Sequence, residues 1–440
     1  MSHPVRDVTS RSFSDLSLEP SVVDVLRRRE ITIPTPVQLA VIPDALAGHH
    51  VLGRARTGSG KTLAFGLPIL SRLAGSKSRP THPRGLVLLP TRELANQVSE
   101  ALEPIASALG LKLATVYGGA PMGKQITQLR QGADIVIATP GRLGDLIERR
   151  QCHLDAVEVT VLDEADHLCD LGFYKPIDRL LAATPSDGQR LLLSATLDGQ
   201  VDKLVRRHLP QHRRHEVDPV DQHHDMTEHH LLVSEQTERL SVARDLVTAN
   251  PRSIVFTRTR RGAQRLARQL STGAVVAVDL HGDLSQGQRE RNLKRFRSGD
   301  ASVIVATDVA ARGIHIDGIG LVVHYDAPSE PKAFTHRSGR TARAGESGAV
   351  VTMTTPAGLN DVLRMQHKAG VAARRHDSRQ APRPLTVEAL AGSGQAAGPV
   401  PQHGSSSKSD GNRHSNGNGN GGGNRNRNRN RRRRSPQRVR

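Results

Sequence analysis

The 440 residues contain no tryptophan, only six phenylalanines and only three tyrosines, too few for a surface that stacks successive bases on aromatic platforms. Any nucleic acid would have to be gripped by its backbone. Cysteine is nearly missing too: Cys152 and Cys169 form no Cys-x-x-Cys pair and no even framework, which argues against a disulfide scaffold or structural zinc and fits a reducing compartment. No apolar run approaches the roughly eighteen residues of a membrane span, and Met1-Ser2-His3-Pro4-Val5-Arg6-Asp7 lacks the hydrophobic stretch of a secretory signal. A soluble, cytoplasmic protein without membrane association is expected.

Acidic residues are in deficit: 43 Asp and Glu face 62 Lys and Arg, a net charge of +19. The excess is uneven. Residues 404–440 hold ten Arg and one Lys against one Asp, about +10, leaving about +9 for the rest. Such a balance calls for a polyanionic partner, nucleic acid first. From His376 the chain turns Pro-, Gly- and Ala-rich, and from Gly404 it is a Ser/Gly/Asn/Arg tract that includes Arg431 to Arg434. That composition predicts a disordered basic tail over 376–440.

Length allows two or three domains. Short apolar runs alternate with helical stretches twice over, at 85–89, 111–117, 134–138, 157–162 and 190–193, then at 253–256, 274–280, 302–306, 321–324 and 349–353. This alternation predicts an α/β protein with two doubly wound parallel-sheet domains. The expected boundaries are a flexible N-terminus over 1–12, a first domain over 13–209, a linker over 210–228 and a second domain over 229–375. The linker carries His212, His215, His223 and His224, but their irregular spacing without cysteine does not make a zinc site.

Two motifs carry chemistry. Ala55-Arg56-Thr57-Gly58-Ser59-Gly60-Lys61-Thr62 follows a short apolar stretch and precedes a helical run, so its backbone N–H groups would converge on a phosphate at a helix N-terminus. About a hundred residues on, Asp163-Glu164-Ala165-Asp166 closes the apolar run 157–162. In such a pairing Lys61 reaches the β- and γ-phosphates of a nucleotide and Thr62 and Asp163 hold Mg²⁺. Glu164 is placed to orient or deprotonate the attacking water.

With these two, the chain shows Pro34-Thr35-Pro36-Val37-Gln38, Pro90-Thr91-Arg92-Glu93-Leu94-Ala95, Gly118-Gly119, Thr139-Pro140-Gly141-Arg142 and Ser194-Ala195-Thr196. Further along come Val255-Phe256-Thr257, His281-Gly282-Asp283 with Gln286 and Arg289, Ala306-Thr307-Asp308 to Arg312-Gly313, and His336-Arg337-Ser338-Gly339-Arg340-Thr341-Ala342-Arg343. In this order, from about Phe13 to Gly348, the sequence resembles the DEAD-box family of ATP-dependent RNA helicases. The resemblance implies two RecA-like domains in tandem acting as a monomer, with ATP and Mg²⁺ bound between them and RNA or ribonucleoprotein complexes as partners.

It further implies that Gln38 reads adenine and that Ala55, Thr57, Gly58, Ser59, Gly60, Lys61 and Thr62 cradle the phosphates, with His315 near the ribose. Arg340 and Arg343 would act as arginine fingers beside the catalytic Lys61, Asp163 and Glu164. Pro90, Thr91, Arg92, Gly119, Thr139, Pro140, Gly141 and Arg142 on one side, with Gly282, Arg289 and Thr307 on the other, would line a groove for the sugar–phosphate backbone. Asp166, Ser194, Thr196, Asp308, His336 and Arg337 would couple the domains. The basic tail would then tether RNA. The expected activity is local separation of short RNA duplexes and remodelling of RNA–protein complexes. The alternatives are an RNA-binding chaperone with weak ATPase activity, or an ATPase acting on DNA.

Three departures from the family pattern occur. Glu30 and Ile31 stand where Gly and an aromatic residue are usual, Arg56 where Gln is common, and His315 where an Asp usually meets the ribose. The first and last remove a stacking face and an acceptor, so weaker ATP-driven closure is expected.

Overall fold

The computed structural model describes residues 11–55, 58–197, 199–217, 227–271, 273, 275–311, 316, 318–342 and 347–395. Its first sheet comprises β1 (Val51–Arg54), β2 (Gly85–Leu88), β3 (Leu113–Val116), β4 (Ile135–Ala138), β5 (Val159–Leu162), β6 (Gln189–Ser194) and β7 (Arg213–Glu216). The second comprises β8 (Thr227–Val233), β9 (Ser253–Phe256), β10 (Ala277–Leu280), β11 (Val303–Ala306), β12 (Leu321–His324), β13 (Gly348–Thr354) and β14 (Arg374–Asp377). The spatial orders are β3-β4-β2-β5-β6-β1-β7 and β10-β11-β9-β12-β13-β8-β14. Every neighbouring pair is parallel. Adding seven to each number of the first order yields the second, so one RecA-like, doubly wound topology occurs twice in tandem.

Helices cover both faces, and strands such as Ile135–Ala138 and Val303–Ala306 are therefore buried throughout. Alternate residues feed opposite cores. Leu191 and Leu193 enter one cluster with the helix Lys61–Leu73, while Leu192 enters another with Leu143, Leu146 and Leu204. The N-terminal segment joins the first core through Phe13, Leu16, Val22 and Leu26, with Ile31 packed at its margin.

Two expected boundaries move. The segment read as a linker supplies β7, an edge strand whose residues are exposed or half-buried and charged, which is why no alternation marked it; His215 Nε2 lies 2.8 Å from Asp44 Oδ2 and pins it. Thr227 and Glu228, also placed in the linker, open β8. Residues 376–395, expected in the tail, belong to the second domain: β14 runs to Asp377, the helix Val387–Ala391 follows, and Leu385 and Leu390 are fully buried in its core, while the rest of the expected tail and residues 1–10 lie outside the described residues. Among the described residues no helix is long and apolar enough to cross a membrane.

All strands being parallel, the loops at their C-terminal ends lie along one edge of each sheet. The motif residues occupy those edges: 55–62 follow β1, 90–95 follow β2, 118–119 follow β3, 139–142 follow β4, 163–166 follow β5 and 194–196 close β6. In the second sheet, 281–283 follow β10 and 307–308 follow β11.

Candidate active site

The phosphate loop turns through two glycines with positive φ, Gly58 at 87° and Gly60 at 93°. At Gly60 a side chain has no room as well as the wrong backbone, since a Cβ there would fall 2.7 Å from Gln38 Nε2 and 2.8 Å from Thr35 Oγ1. Lys61 opens the helix Lys61–Leu73, with Ser59 and Thr62 half-buried on either side of the Gly60–Lys61 step. The Lys61 ammonium donates to Ala55 O at 3.0 Å and stands 4.0 Å from Asp163 Oδ1, both side chains being about 95 % buried. Gln38, 3 % exposed, accepts from Thr35 N at 2.8 Å and donates from Nε2 to Gly60 O at 3.0 Å. It thus caps the helix Pro36–Leu46 and braces the phosphate loop together. Arg56 and Thr57 lie outside the described residues.

Asp163 directly follows β5 and accepts the Glu164 N–H at 2.9 Å. Burial pushes its carboxyl up to about 6, although the Lys61 ammonium pulls the other way. Glu164 sits in the left-handed region at φ 51°, an uncommon place for a side chain that size. Burial opposes its ionisation most strongly, yet the hydrogen bond and charge of His167, with Lys61 and Arg340, outweigh it and hold the carboxyl at about 2. The His167 Nδ1 to Glu164 Oε2 distance is 3.2 Å, and both side chains are over 90 % buried. Asp166 ties the loop after β5 to the end of β6: its N–H donates to Ser194 Oγ at 3.1 Å, and its Oδ2 accepts from Thr196 N and Oγ1, each at 3.1 Å.

A small cavity above these groups is lined by Lys61, Glu164, Asp166, His167 and Ala195 from the first domain and by His336 and Arg340 from the second. Arg340, 7 % exposed, donates from Nε to His336 O at 3.3 Å. Arg337 makes a two-toothed pair with Asp308 at 2.5 and 2.7 Å and donates to Asp326 O at 2.6 Å. Of the residues expected to couple the domains, Asp166 bonds Ser194 and Thr196 in the first domain and Arg337 bonds Asp308 in the second, while Asp166 and His336 line the cavity from either side. Arg343 and His315 lie outside the described residues.

The residues expected to line a groove lie in loops and helix starts that follow strands of both sheets. Thr91 caps the helix Arg92–Ala108 through Oγ1, and buried Pro90 precedes it. Arg92 lies over exposed Gly119, where a Cβ would overlap its guanidinium. Buried Thr139 and Pro140 start the helix Pro140–Glu148, Gly141 is exposed, and Arg142 donates to Ala120 O at 3.1 Å and Gln125 Oε1 at 3.2 Å. In the second domain, Gly282 is exposed and Thr307 is buried. Arg289 reaches the first domain: its Nε donates to Glu93 Oε1 at 2.6 Å, with His281 O and Ala310 O as further acceptors.

Sequence reasoning gave no role to Glu93, His167 or the cross-domain pair of Lys332 and Asp170, whose Nζ–Oδ1 distance is 3.0 Å. The signal available was weak: Glu93 and Gln286 lay inside quoted motifs, and Gln286 Oε1 accepts from Arg92 across the junction at 3.5 Å. Nothing in the linear chain pairs positions 196 apart.

Residues 35–204 match the DEAD/DEAH box helicase family and residues 237–345 the helicase conserved C-terminal domain. The chain is 40 % identical over 376 residues to the chloroplastic DEAD-box ATP-dependent RNA helicase 3A of Zea mays, covering 83 % of this chain and half of that protein. It is 39 % identical over 368 residues to the ATP-dependent rRNA helicase RRP3 of Vanderwaltozyma polyspora, covering 82 % and 72 %. Among solved structures, S. cerevisiae Dbp5 bound to RNA and ADP BeF3 superposes with a TM-score of 0.74 at 27 % identity, over 84 % of this chain and 96 % of that one.

Proposed function

The chain belongs to the DEAD-box helicase family, and on that premise we propose that it is an RNA-dependent ATPase that locally opens short RNA duplexes and remodels RNA–protein complexes as its two domains close. The observation that carries this reading is the shared cavity, where Arg340 of the second domain faces Lys61 and Glu164 of the first. Hydrolysis then requires both domains together. Lys61 and Arg340 neutralise charge developing on the transferred phosphoryl group, and Glu164, ionised throughout the physiological range, orients the attacking water and takes up its proton.

Hard oxygen donors suit Mg²⁺, and the buried Asp163 carboxylate beside the phosphate loop, with the Thr62 hydroxyl one residue past Lys61, fits that ion. When bound, it would lower the charge on the phosphate oxygens. Asp163, which burial alone leaves reluctant to ionise, would be held as the carboxylate. Gln38 reads the adenine edge, while Arg92, Arg142, Gly119, Gly282 and Thr307 line the path of the RNA backbone. Contacts of that kind position a strand without reading its sequence.

Opening four to six base pairs costs roughly 6 to 8 kcal/mol at about 1.4 kcal/mol per step, within reach of one closure driven by ATP and RNA together. ATP turnover with and without a single-stranded oligoribonucleotide tests the proposal. RNA should stimulate the wild type, and Glu164→Gln and Arg340→Ala should each lose stimulation by about 10² or more. A DNA oligonucleotide that activates equally well would assign the protein to DNA instead. Removing residues 404–440, which carry about +10, should weaken RNA affinity and flatten its salt dependence with little change in saturated kcat.

A further inference from the structure

We propose that His167 is a positioning residue for Glu164: its ring N–H grips one carboxylate oxygen and so aims the other toward the attacking water. This rests on the reading of Glu164 as the group that orients that water. The contact is Nδ1 to Oε2 at 3.2 Å between two side chains over 90 % buried. An ionised carboxylate only accepts, so Nδ1 carries the hydrogen. The other ring nitrogen, Nε2, is buried and makes no hydrogen bond to the described residues, so the grip on Glu164 is through Nδ1 alone.

The need for such a grip follows from what surrounds it. Glu164 shares its cavity with two cations, Lys61 and Arg340. A carboxylate on a rotatable stem, left to itself, swings toward one of them and off the line of attack, and small displacements of a reacting group are costly in rate. The backbone does not depend on the imidazole: His167 N–H donates to Asp166 Oδ1 at 2.9 Å whatever the ring does. Losing the ring thus removes this hold on Oε2 without unpicking the backbone of the loop.

Three substitutions isolate the atom. His167→Leu removes both nitrogens, His167→Asn keeps an N–H donor near the Nδ1 position, and His167→Gln offers one only near Nε2. RNA-stimulated kcat should fall about tenfold in His167→Leu and in His167→Gln and return to within about threefold of wild type in His167→Asn. The KM for ATP and the Kd for RNA should stay within about twofold in all three. In a Glu164→Gln background, adding His167→Leu should change the residual rate less than twofold. Equal rescue by Asn and Gln, an unchanged kcat in Leu, or a KM that moves with kcat overturns the proposal. A wild type without RNA-stimulated turnover overturns the functional reading itself, which this design separates from a failure of His167 alone.

Discussion

Glu93→Gln tests whether the two domains are held together by the pair that Glu93 makes with Arg289. At 2.6 Å, with the side chains 12 % and 7 % exposed, the contact is a charge-assisted hydrogen bond that solvent screens little. Such bonds contribute about 1.5 to 3 kcal/mol, of which a neutral amide oxygen at the same place returns about 0.5 to 1.5. Arg289 keeps the carbonyls of His281 and Ala310 at 3.3 and 3.2 Å, so the larger penalty of a stranded buried charge, about 3 to 5 kcal/mol, is not incurred. The net loss is about 1 to 2 kcal/mol, and it falls on the joined arrangement because each domain keeps its own core. If RNA spans both domains, the anisotropy of a fluorescent oligoribonucleotide with ADP-BeF3 present should report a Kd raised about 5- to 30-fold. An unchanged Kd would refute the reasoning. A lowered one would mean that Glu93 competes with phosphate for Arg289 rather than clasping it.

Arg337→Ala should lower the thermal midpoint by several degrees, because it strands Asp308 and removes a cation resting 5.1 Å from the Phe256 ring centroid; an unshifted melt contradicts the structural role. Gly119→Ala forces a side chain onto φ 81° and displaces the Arg92 guanidinium, so RNA affinity should fall several-fold while the KM for ATP holds; isotherms indistinguishable from wild type would count against it. His230, depressed to about 4 chiefly by burial and then by His376, and the buried His324, also depressed chiefly by burial, are neutral in the folded protein. Between about 4 and 6.5 the unfolded chain therefore binds more protons, so stability is complete above pH 6.5 and drains away as pH falls through that window. The urea midpoint should drop from pH 7 to pH 5, and His230→Phe should flatten that slope; a midpoint independent of pH is the contrary result.

The strands and the loops at their ends were legible because a doubly covered parallel sheet demands unbroken apolar runs and because phosphate, metal and guanidinium chemistry admits few residue types. β7 and β14 escaped notice for the opposite reason: as edge strands they carry Arg213, Arg214, Arg374 and Arg375 outward and show no alternation. Leu385 and Leu390 anchor a segment whose Pro and Gly content suggested it could bury nothing. At the site, the chain announced Lys61, Asp163 and Glu164 but not what holds them. The partner of Arg289 lies 196 residues away, and the grip on Glu164 comes from a histidine one helical turn on. Side-chain satisfaction in a buried space is settled by three-dimensional neighbours, of which the linear order carries little trace.

Gln38 touches Thr35 with one end of its amide and the carbonyl of Gly60 with the other. A base seated against that amide would therefore tug on the peptide immediately ahead of Lys61. On the proposed reading of Gln38, recognition at one pole of the nucleotide and reactivity at its opposite pole would share a single lever, and a triphosphate stripped of its base should bind tolerably yet turn over poorly.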